Sequence, residues 1–255
     1  MTRLYVAART HTGRVREENQ DCVLVDAWVS ARDAMLARSV ELRPGQTPYV
    51  VAVCDGLGGH AGGAVASRLA AATLGATDWP GIDEKVVTER VVEAARAIQQ
   101  VSDDVHGLRG LGSTVAGIAL TATQLSVFNV GDSSVFRVMD GSLGELTRPD
   151  RRPDPHRAGA TVLTQSLSVF TAVPDPSVAT LAIARPMRLV ACSDGLTDVV
   201  GTDDLRSLLA GEVGAPDGAR EAVQRLIERA LRQGAPDNVS VIVIDLVPDE
   251  ARVPE

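Results

Sequence analysis

The sequence predicts an α+β sandwich in which β-sheets are covered by helices. Three observations carry this. The 255 residues suit a single unit, since α/β and all-β folds commonly run to about 250 residues. Strand-length apolar runs crowd the middle of the chain, over 114–121, 124–130 and 134–139. Helical patterns come in pairs, so the regular alternation of a doubly wound βαβ fold is absent.

Composition narrows the partners. Hydrophobic residues make up 45% of the chain and aromatics only 3%, so the core is built from Ala, Val, Leu and Ile. The net charge of −8, from 25 basic and 33 acidic residues, disfavours nucleic acid, whose phosphates reward dense Lys and Arg. No run approaches the 18 or so apolar residues of a membrane span. The apolar stretch in Met1–Arg9 is too short for a signal peptide. The three cysteines, Cys22, Cys54 and Cys192, are odd in number and form no CxxC pair. They read as buried free thiols in a reducing compartment, and the expected location is cytoplasmic.

The elements follow in order. Leu4–Ala8 and Cys22–Val25 are short strands. Residues 29–48 are mixed and end in Arg43-Pro-Gly-Gln-Thr-Pro48, an excursion and turn. Tyr49–Cys54 is a continuous apolar run of strand length. After a glycine-rich turn comes a helix with Val65, Leu69 and Ala72 on one face. A second opens at Asp83, a good N-cap, with the stripe Val87, Val91, Ala94, Ile98 and Val101. Asp140-Gly141 is a hairpin turn. Residues 147–157 hold three prolines and read as a loop. Residues 177–183 and 187–192 are strands. Thr202 begins a short helix carrying Leu205, Leu208 and Leu209. Asp217 begins a longer one with Ala219, Val223, Leu226, Ala230 and Leu231, stopped by Gly234 and Pro236. The last strand is Val239–Leu246. The folded unit spans 1–247 and is followed by a charged tail, 248–255.

The informative feature is the position of certain acids. Asp21, Asp55, Asp132, Asp194 and Asp237 all sit at junctions between apolar strands and turns. Carboxylates that converge repel one another, and unpaired charge is costly to bury. A hard divalent cation resolves this. All-oxygen ligation suits Mg²⁺ or Mn²⁺, and four His and three Cys are too few to favour Zn²⁺. Asp55–Gly63 contains five glycines in nine residues. Glycine beside a ligating Asp lets the chain turn sharply and bring a carbonyl to the metal. Arg16 lies five residues before Asp21, and its fork matches phosphate oxygens.

Together these residues resemble the metal-dependent serine/threonine protein phosphatases of type 2C. The blocks, in the family's order, are Arg16…Asn19-Gln-Asp21, Val53-Cys-Asp-Gly-Leu-Gly-Gly-His60, Gly112-Ser-Thr114, Asn129-Val-Gly-Asp-Ser133, Cys192-Ser-Asp-Gly195 and Pro236-Asp-Asn-Val-Ser-Val241. The glycine-rich block is similar to the bacterial branch. The resemblance implies a four-layer α-β-β-α sandwich of two antiparallel sheets flanked by helices. It implies two Mn²⁺ or Mg²⁺ ions, with Asp55 bridging both, the Gly56 carbonyl on one, and Asp194 and Asp237 on the other. Asp21 orients metal-bound water, and Asp132 with Asp194 forms a weaker third site. Arg16 binds the substrate phosphate, and a metal-bridging water attacks phosphorus without a covalent enzyme intermediate. Asn238 supports Asp237, His60 backs the ligands, and Cys54 and Cys192 are bystanders. The implied partners are phosphorylated proteins and, from the bacterial branch, a serine/threonine protein kinase.

Two departures stand out. Leu57 occupies the position where many eukaryotic members carry a His that acts as general acid. Residues 148–161 replace a longer flap that opens with Asp-His-Ser, so the flap segment is shortened. Three rival readings remain. A catalytically silent phosphoprotein-binding member of the same fold keeps the ligands but not the activity. A hydrolase of small phosphate esters shares the chemistry. A dinucleotide-binding protein rests on Gly56-Leu-Gly-Gly-His-Ala61, which matches G-x-G-x-x-A but lacks the expected downstream acid.

Overall fold

Two antiparallel sheets stack face to face because their central strands are apolar on both sides. The computed structural model describes residues 1–57, 61–105, 110–156, 161–168 and 173–249. In chain order the first elements are β1 (Thr2–His11), β2 (Cys22–Val25), β3 (Trp28–Ser30), β4 (Leu36–Leu42), β5 (Tyr49–Cys54), β6 (Gly56–Leu57), α1 (Ala61–Ala76) and α2 (Glu84–Asp104). The middle holds β7 (Gly112–Ser113), β8 (Val115–Leu120), β9 (Gln124–Val130), β10 (Ser134–Met139), β11 (Ser142–Glu145), β12 (Arg151–Pro153), β13 (Thr161–Leu163) and β14 (Leu167–Ser168). The chain continues with β15 (Ser177–Ala182), β16 (Met187–Cys192), α3 (Asp194–Thr197), α4 (Thr202–Leu208), α5 (Gly218–Arg232) and β17 (Val239–Pro248).

One six-stranded sheet has the order β11-β10-β16-β17-β1-β4 and the other β15-β9-β8-β5-β2-β3. Every pairing in both is antiparallel. Successive residues of a strand point to opposite faces, and this alternation builds three cores. Val51 and Val53 join Leu4, Val6, Leu189 and Ile244 between the sheets. Ala52 and Cys54 turn the other way, onto Leu74, Val91 and Ile98 of α1 and α2. Val190, Cys192 and Val241 face Val223, Leu226 and Ile227 of α5. The result is the expected layering, helices outside two sheets. Since β5 is antiparallel to both β2 and β8, the described residues do not form the parallel βαβ unit of a dinucleotide-binding protein around it.

Local signals explain most boundaries. Asp83 caps α2, accepting from Val86 N at 3.1 Å. Asp140 and Gly141 both have positive φ, 52° and 74°, the geometry of a two-residue turn joining Met139 to Ser142. Among the described residues no helix is long and apolar enough to cross a membrane.

Four expectations are corrected. Residues 29–48 are not a plain excursion: β4 pairs with β1 as a sheet edge. Its alternate residues are exposed, so it lacks a continuous apolar run. Arg38 fills an inward position, its Nε donating to Tyr49 Oη at 2.9 Å and Nη2 to Val25 O at 2.7 Å. Helix α1 buries Ala66, Ala70 and Leu74 rather than Ala72, because small residues let the helix approach the sheet. The loop read over 147–157 contains β12, which pairs with β13 through backbone alone. The last strand runs on to Pro248, and Asp249 N donates to Met1 O at 2.9 Å. Residues 250–255 of the charged tail lie outside the described residues.

The helical side of one sheet carries a buried ion pair. Arg188 and Asp245 face each other across β16 and β17, with side chains 1% and 0% exposed. Arg188 Nε and Nη2 reach the carboxylate at 2.6 and 2.8 Å, Arg188 Nη1 donates to Leu209 O at 2.7 Å, and Gly214 N donates to Asp245 at 2.9 Å. Removing one partner strands the other charge. Arg188→Ala is therefore expected to cost about 3–5 kcal/mol in urea unfolding, and the double replacement Arg188→Met/Asp245→Leu much less. A loss below about 1 kcal/mol for the single variant contradicts this.

Candidate active site

Register brings the five acids to one end of the sandwich. Cys22 pairs with Cys54, which sets Asp21 and Asp55 side by side at the ends of β2 and β5. Val115 pairs with Val130, and Ser134 with Cys192, which carries Asp132 and Asp194 to the same end. Cys192 pairs with Val241 and His11 with Val239, adding Asp237. Side-chain bonds then tie the sheets together there. Asp21, fully buried, accepts from Ser193 Oγ at 2.8 Å and Ser240 Oγ at 2.7 Å through Oδ2. Ser240 Oγ is also hydrogen-bonded to Thr10 Oγ1 at 2.7 Å.

The loop between β1 and β2 is fastened by Asn238. Its Nδ2 donates to Thr12 O at 2.8 Å and Glu18 O at 3.0 Å, and its Oδ1 accepts from Gln20 N at 2.8 Å. The backbone N of Asn238, not its side chain, donates to Asp237 Oδ1 at 2.8 Å. Gly13, at φ +84°, lies against Asp237, where a Cβ would sit 2.1 Å from the carbonyl oxygen. This loop presents Arg16, whose Nη2 meets Asp237 Oδ2 at 2.6 Å. The Asp55 backbone is held by Thr114, whose N donates to Asp55 O at 2.8 Å, and by Ser113 Oγ at 3.0 Å. Gly56 packs between the Gly63 and Gln20 carbonyls, leaving no room for a Cβ.

Three of these acids, Asp55, Asp132 and Asp194, line a 780 Å³ cleft together with Leu57, Arg151, Thr161, Leu163 and Asp198. Electrostatics there is unfavourable to charge. Burial, then Asp21, Asp194, Asp237 and Asp132 together, push the Asp55 carboxyl well above its usual range. Burial pushes Asp21 up to about 6 against the opposing bonds from Ser240 and Ser193. Burial, followed by Asp132 and Asp198, pushes Asp194 up to about 7. Asp132 is also raised, chiefly by burial.

The donor chemistry fits hard cations. Asp21 Oδ1 is buried without a hydrogen-bond partner, every donor is oxygen, and among the described residues Arg16 and Arg151 are the cations paired at the site. Among the described residues no three His, Cys, Asp or Glu side chains already close into a ligand cage. Ion binding therefore calls for small rotations, such as release of Asp237 from Arg16.

Residues 32–232 match the protein phosphatase 2C family. The chain belongs to that family. Serine/threonine protein phosphatase PstP of Mycobacterium tuberculosis (strain ATCC 25618 / H37Rv) is 32% identical over 260 residues, covering 96% of this chain and 45% of that protein. The chain thus spans less than half the length of that relative. Protein phosphatase PhpP of Streptococcus pneumoniae is 24% identical, covering 96% of this chain and 99% of its own. The crystal structure of the PstP catalytic domain with two manganese ions superposes with a TM-score of 0.75 at 30% identity, over 97% of this chain and 100% of that one. The Mycobacterium smegmatis phosphatase MsPP, in complex with cacodylate, gives 0.70 at 26%, over 94% and 97%.

Within this type 2C fold the structure gathers Arg16, Asp21, Asp55, Gly56, Asp132, Asp194, Asp237 and Asn238 at one end, while His60 lies outside the described residues. Sequence reasoning missed Asp198, Arg151, Ser193 and Ser240. Asp198 had a signal, since it falls four residues after Asp194 and its N donates to Asp194 O at 2.8 Å. The serines had one as well, since Ser193 and Ser240 fall inside the family blocks Cys192-Ser-Asp-Gly195 and Pro236-Asp-Asn-Val-Ser-Val241.

The raised carboxyls make a prediction for the metal-free protein. A folded-state pKa above the unfolded value contributes stability at low pH that is lost as pH rises through the folded value. With Asp21 near 6 and Asp194 near 7, the melting temperature in chelator should fall between about pH 5 and pH 7.5. Adding Mn²⁺ at the upper pH should restore it. Thermal melts in both conditions check this; a metal-free melting temperature that climbs over that interval and ignores Mn²⁺ contradicts it.

Proposed function

We propose that this chain is a metal-dependent phosphoserine/phosphothreonine protein phosphatase working in the cytoplasm. The observation that carries the reading is the meeting of Asp21, Asp55, Asp132, Asp194 and Asp237 at one end of the sandwich, where Asp55, Asp132 and Asp194 line a common cleft. Family membership supports it, as does the likeness to relatives named serine/threonine protein phosphatases. The buried unpaired thiols support a reducing compartment.

Asp55, the Gly56 carbonyl, Asp194 and Asp237 are assigned to two Mn²⁺ or Mg²⁺ ions, and Asp132 with Asp194 to a weaker third. When bound, the cations supply Lewis acidity and a water of lowered pKa. The chain's own groups do the rest. Arg16, 55% exposed at the rim, offers its guanidinium fork to the phosphoryl oxygens. Asp237, once parted from Arg16, would be available as a metal ligand, and the guanidinium for the phosphoryl group. Asp21, clamped on one oxygen by Ser193 and Ser240, leaves Oδ1 free to accept a hydrogen bond from the attacking water. Asn238 holds the 12–20 loop and so sets the reach of Arg16. The substrates are phosphorylated proteins, with products of a serine/threonine protein kinase the expected source.

Hydrolysis of an aryl phosphate and a phosphothreonine peptide should require Mn²⁺ or Mg²⁺ and stop with chelator. Asp55→Asn should lower kcat by about 10²- to 10³-fold while circular dichroism stays native. Full activity in chelator, or in the variant, overturns the reading. Inactivity of the wild type at every divalent-cation concentration leaves a phosphoprotein-binding module instead.

A further inference from the structure

The ribbon formed by β12 and β13 stands at the cleft with one face turned toward it. Arg151 pairs with Leu163 and Pro153 with Thr161, and directly opposed residues of an antiparallel pair share a face. Arg151, Thr161 and Leu163 all line the cleft. Arg152, paired with Val162, belongs to the opposite face. Arg151 is thus the ribbon cation aimed at the acidic cleft.

Its present partner is weak. Arg151 Nη1 lies 3.6 Å from an Asp198 carboxylate oxygen, with side chains 34% and 59% exposed. An ion pair that long and that wet contributes little, so an incoming anion can take the arginine over. The cleft has a specific need for such a cation. A phosphoprotein brings negative charge to a mouth already lined by Asp55, Asp132, Asp194 and Asp198, on a chain of net charge −8. Arg16 borders Asp237 and is assigned to the phosphoryl group, whereas Arg151 borders Asp198 and its charge partly offsets the burial that raises the Asp132 carboxyl. The two arginines therefore serve different parts of one substrate.

We propose that Arg151 selects phosphoproteins carrying a second anionic group beside the scissile phosphoester, exchanging Asp198 for that group. The inference rests on the phosphatase reading and names the substrate class of the same site. Electrostatic matching of this kind sets specificity more than raw affinity.

The test uses phosphothreonine peptides that differ only near the phosphothreonine, with Gln, Glu or phosphoserine at the flanking positions. Wild-type protein with Mn²⁺ at low salt should favour the Glu or phosphoserine peptide over the Gln peptide by about fivefold in kcat/KM. A preference for both marks Arg151 as a reader of anions in general, and a preference for phosphoserine alone marks it as a phosphate reader. Arg151→Ala should bring the ratio close to one, and Arg151→Lys should keep part of it. Arg152→Ala, on the far face, should keep it whole. Asp198→Asn should raise the ratio, and that gain should vanish in the Arg151→Ala background, a coupling that a merely structural latch does not produce. An absent preference in wild type, or an equal fall in the Arg151→Ala and Arg152→Ala variants, overturns the inference. Binding of the same peptides to Asp55→Asn protein, read by fluorescence anisotropy, reports the preference without turnover. Selective binding without hydrolysis in wild type then strikes the phosphatase reading alone.

Discussion

Mutual repulsion of carboxylates in a partly dry cleft is the constraint on which the rest of this structure depends. Five aspartates at one end of a sandwich do not hold themselves together; each raises the cost of ionising the next. The scaffold imposes their proximity through strand register. Two sheets, each stitched by long antiparallel pairings, deliver the strand ends whether or not the charges agree. Stability comes from the three apolar cores, and part of it is given up where the carboxylates meet. Such a concession of stability at one spot is the mark of a functional site.

What makes the concession tolerable is selective satisfaction. Asp21 illustrates it. One oxygen has two hydroxyl donors from the opposite sheet, and the other has none. A structural carboxylate would have both oxygens satisfied. The serines also lock the strand ends, since Ser240 N donates to Ser193 Oγ at 3.0 Å. The group that binds the sheets together is therefore also the one left with a buried, unpaired oxygen beside Asp55. Asn238 does comparable work on the rim, where every polar atom of its amide is spent on the loop that presents Arg16.

The legible part of this design is the part written in local chemistry. Apolar runs of strand length marked β5, β9, β10 and β16, and the recurrence of Asp at five strand–turn junctions marked the site, since one such Asp is an ordinary turn former and five are not. The capping Asp83 and the Asp140-Gly141 turn were legible for the same reason. Features decided by distant partners were not. Strand β4 alternates apolar and polar residues because it is an edge, and its identity as a strand depends on β1. The β12–β13 ribbon is three residues a side, too short to show a period, and the prolines around Arg151 and Arg152 pointed to a loop. Helix α1 turns its alanines to the sheet, a choice made by how near the helix can come rather than by hydrophobicity. Arg188 and Asp245 read as surface charges until their register is known.

The same two-residue period explains why three thiols beside the acids take no part in the chemistry. Cys22, Cys54 and Cys192 each adjoin or nearly adjoin a site aspartate, and each is turned by the strand toward the helices instead. Residues one step along the strand then look the opposite way, into the cleft. Burial among Leu74, Ile98 and Phe128 raises the Cys22 thiol to about 12 and pushes the Cys54 thiol well above its ordinary value. A thiolate nucleophile is thus excluded on two grounds, direction and charge. Cysteine at these positions acts as a small apolar residue that backs a ligand without crowding it. The carboxylates are left as the ionisable groups on the cleft side of these strand ends, which is the division of labour an oxygen-ligated metal centre requires.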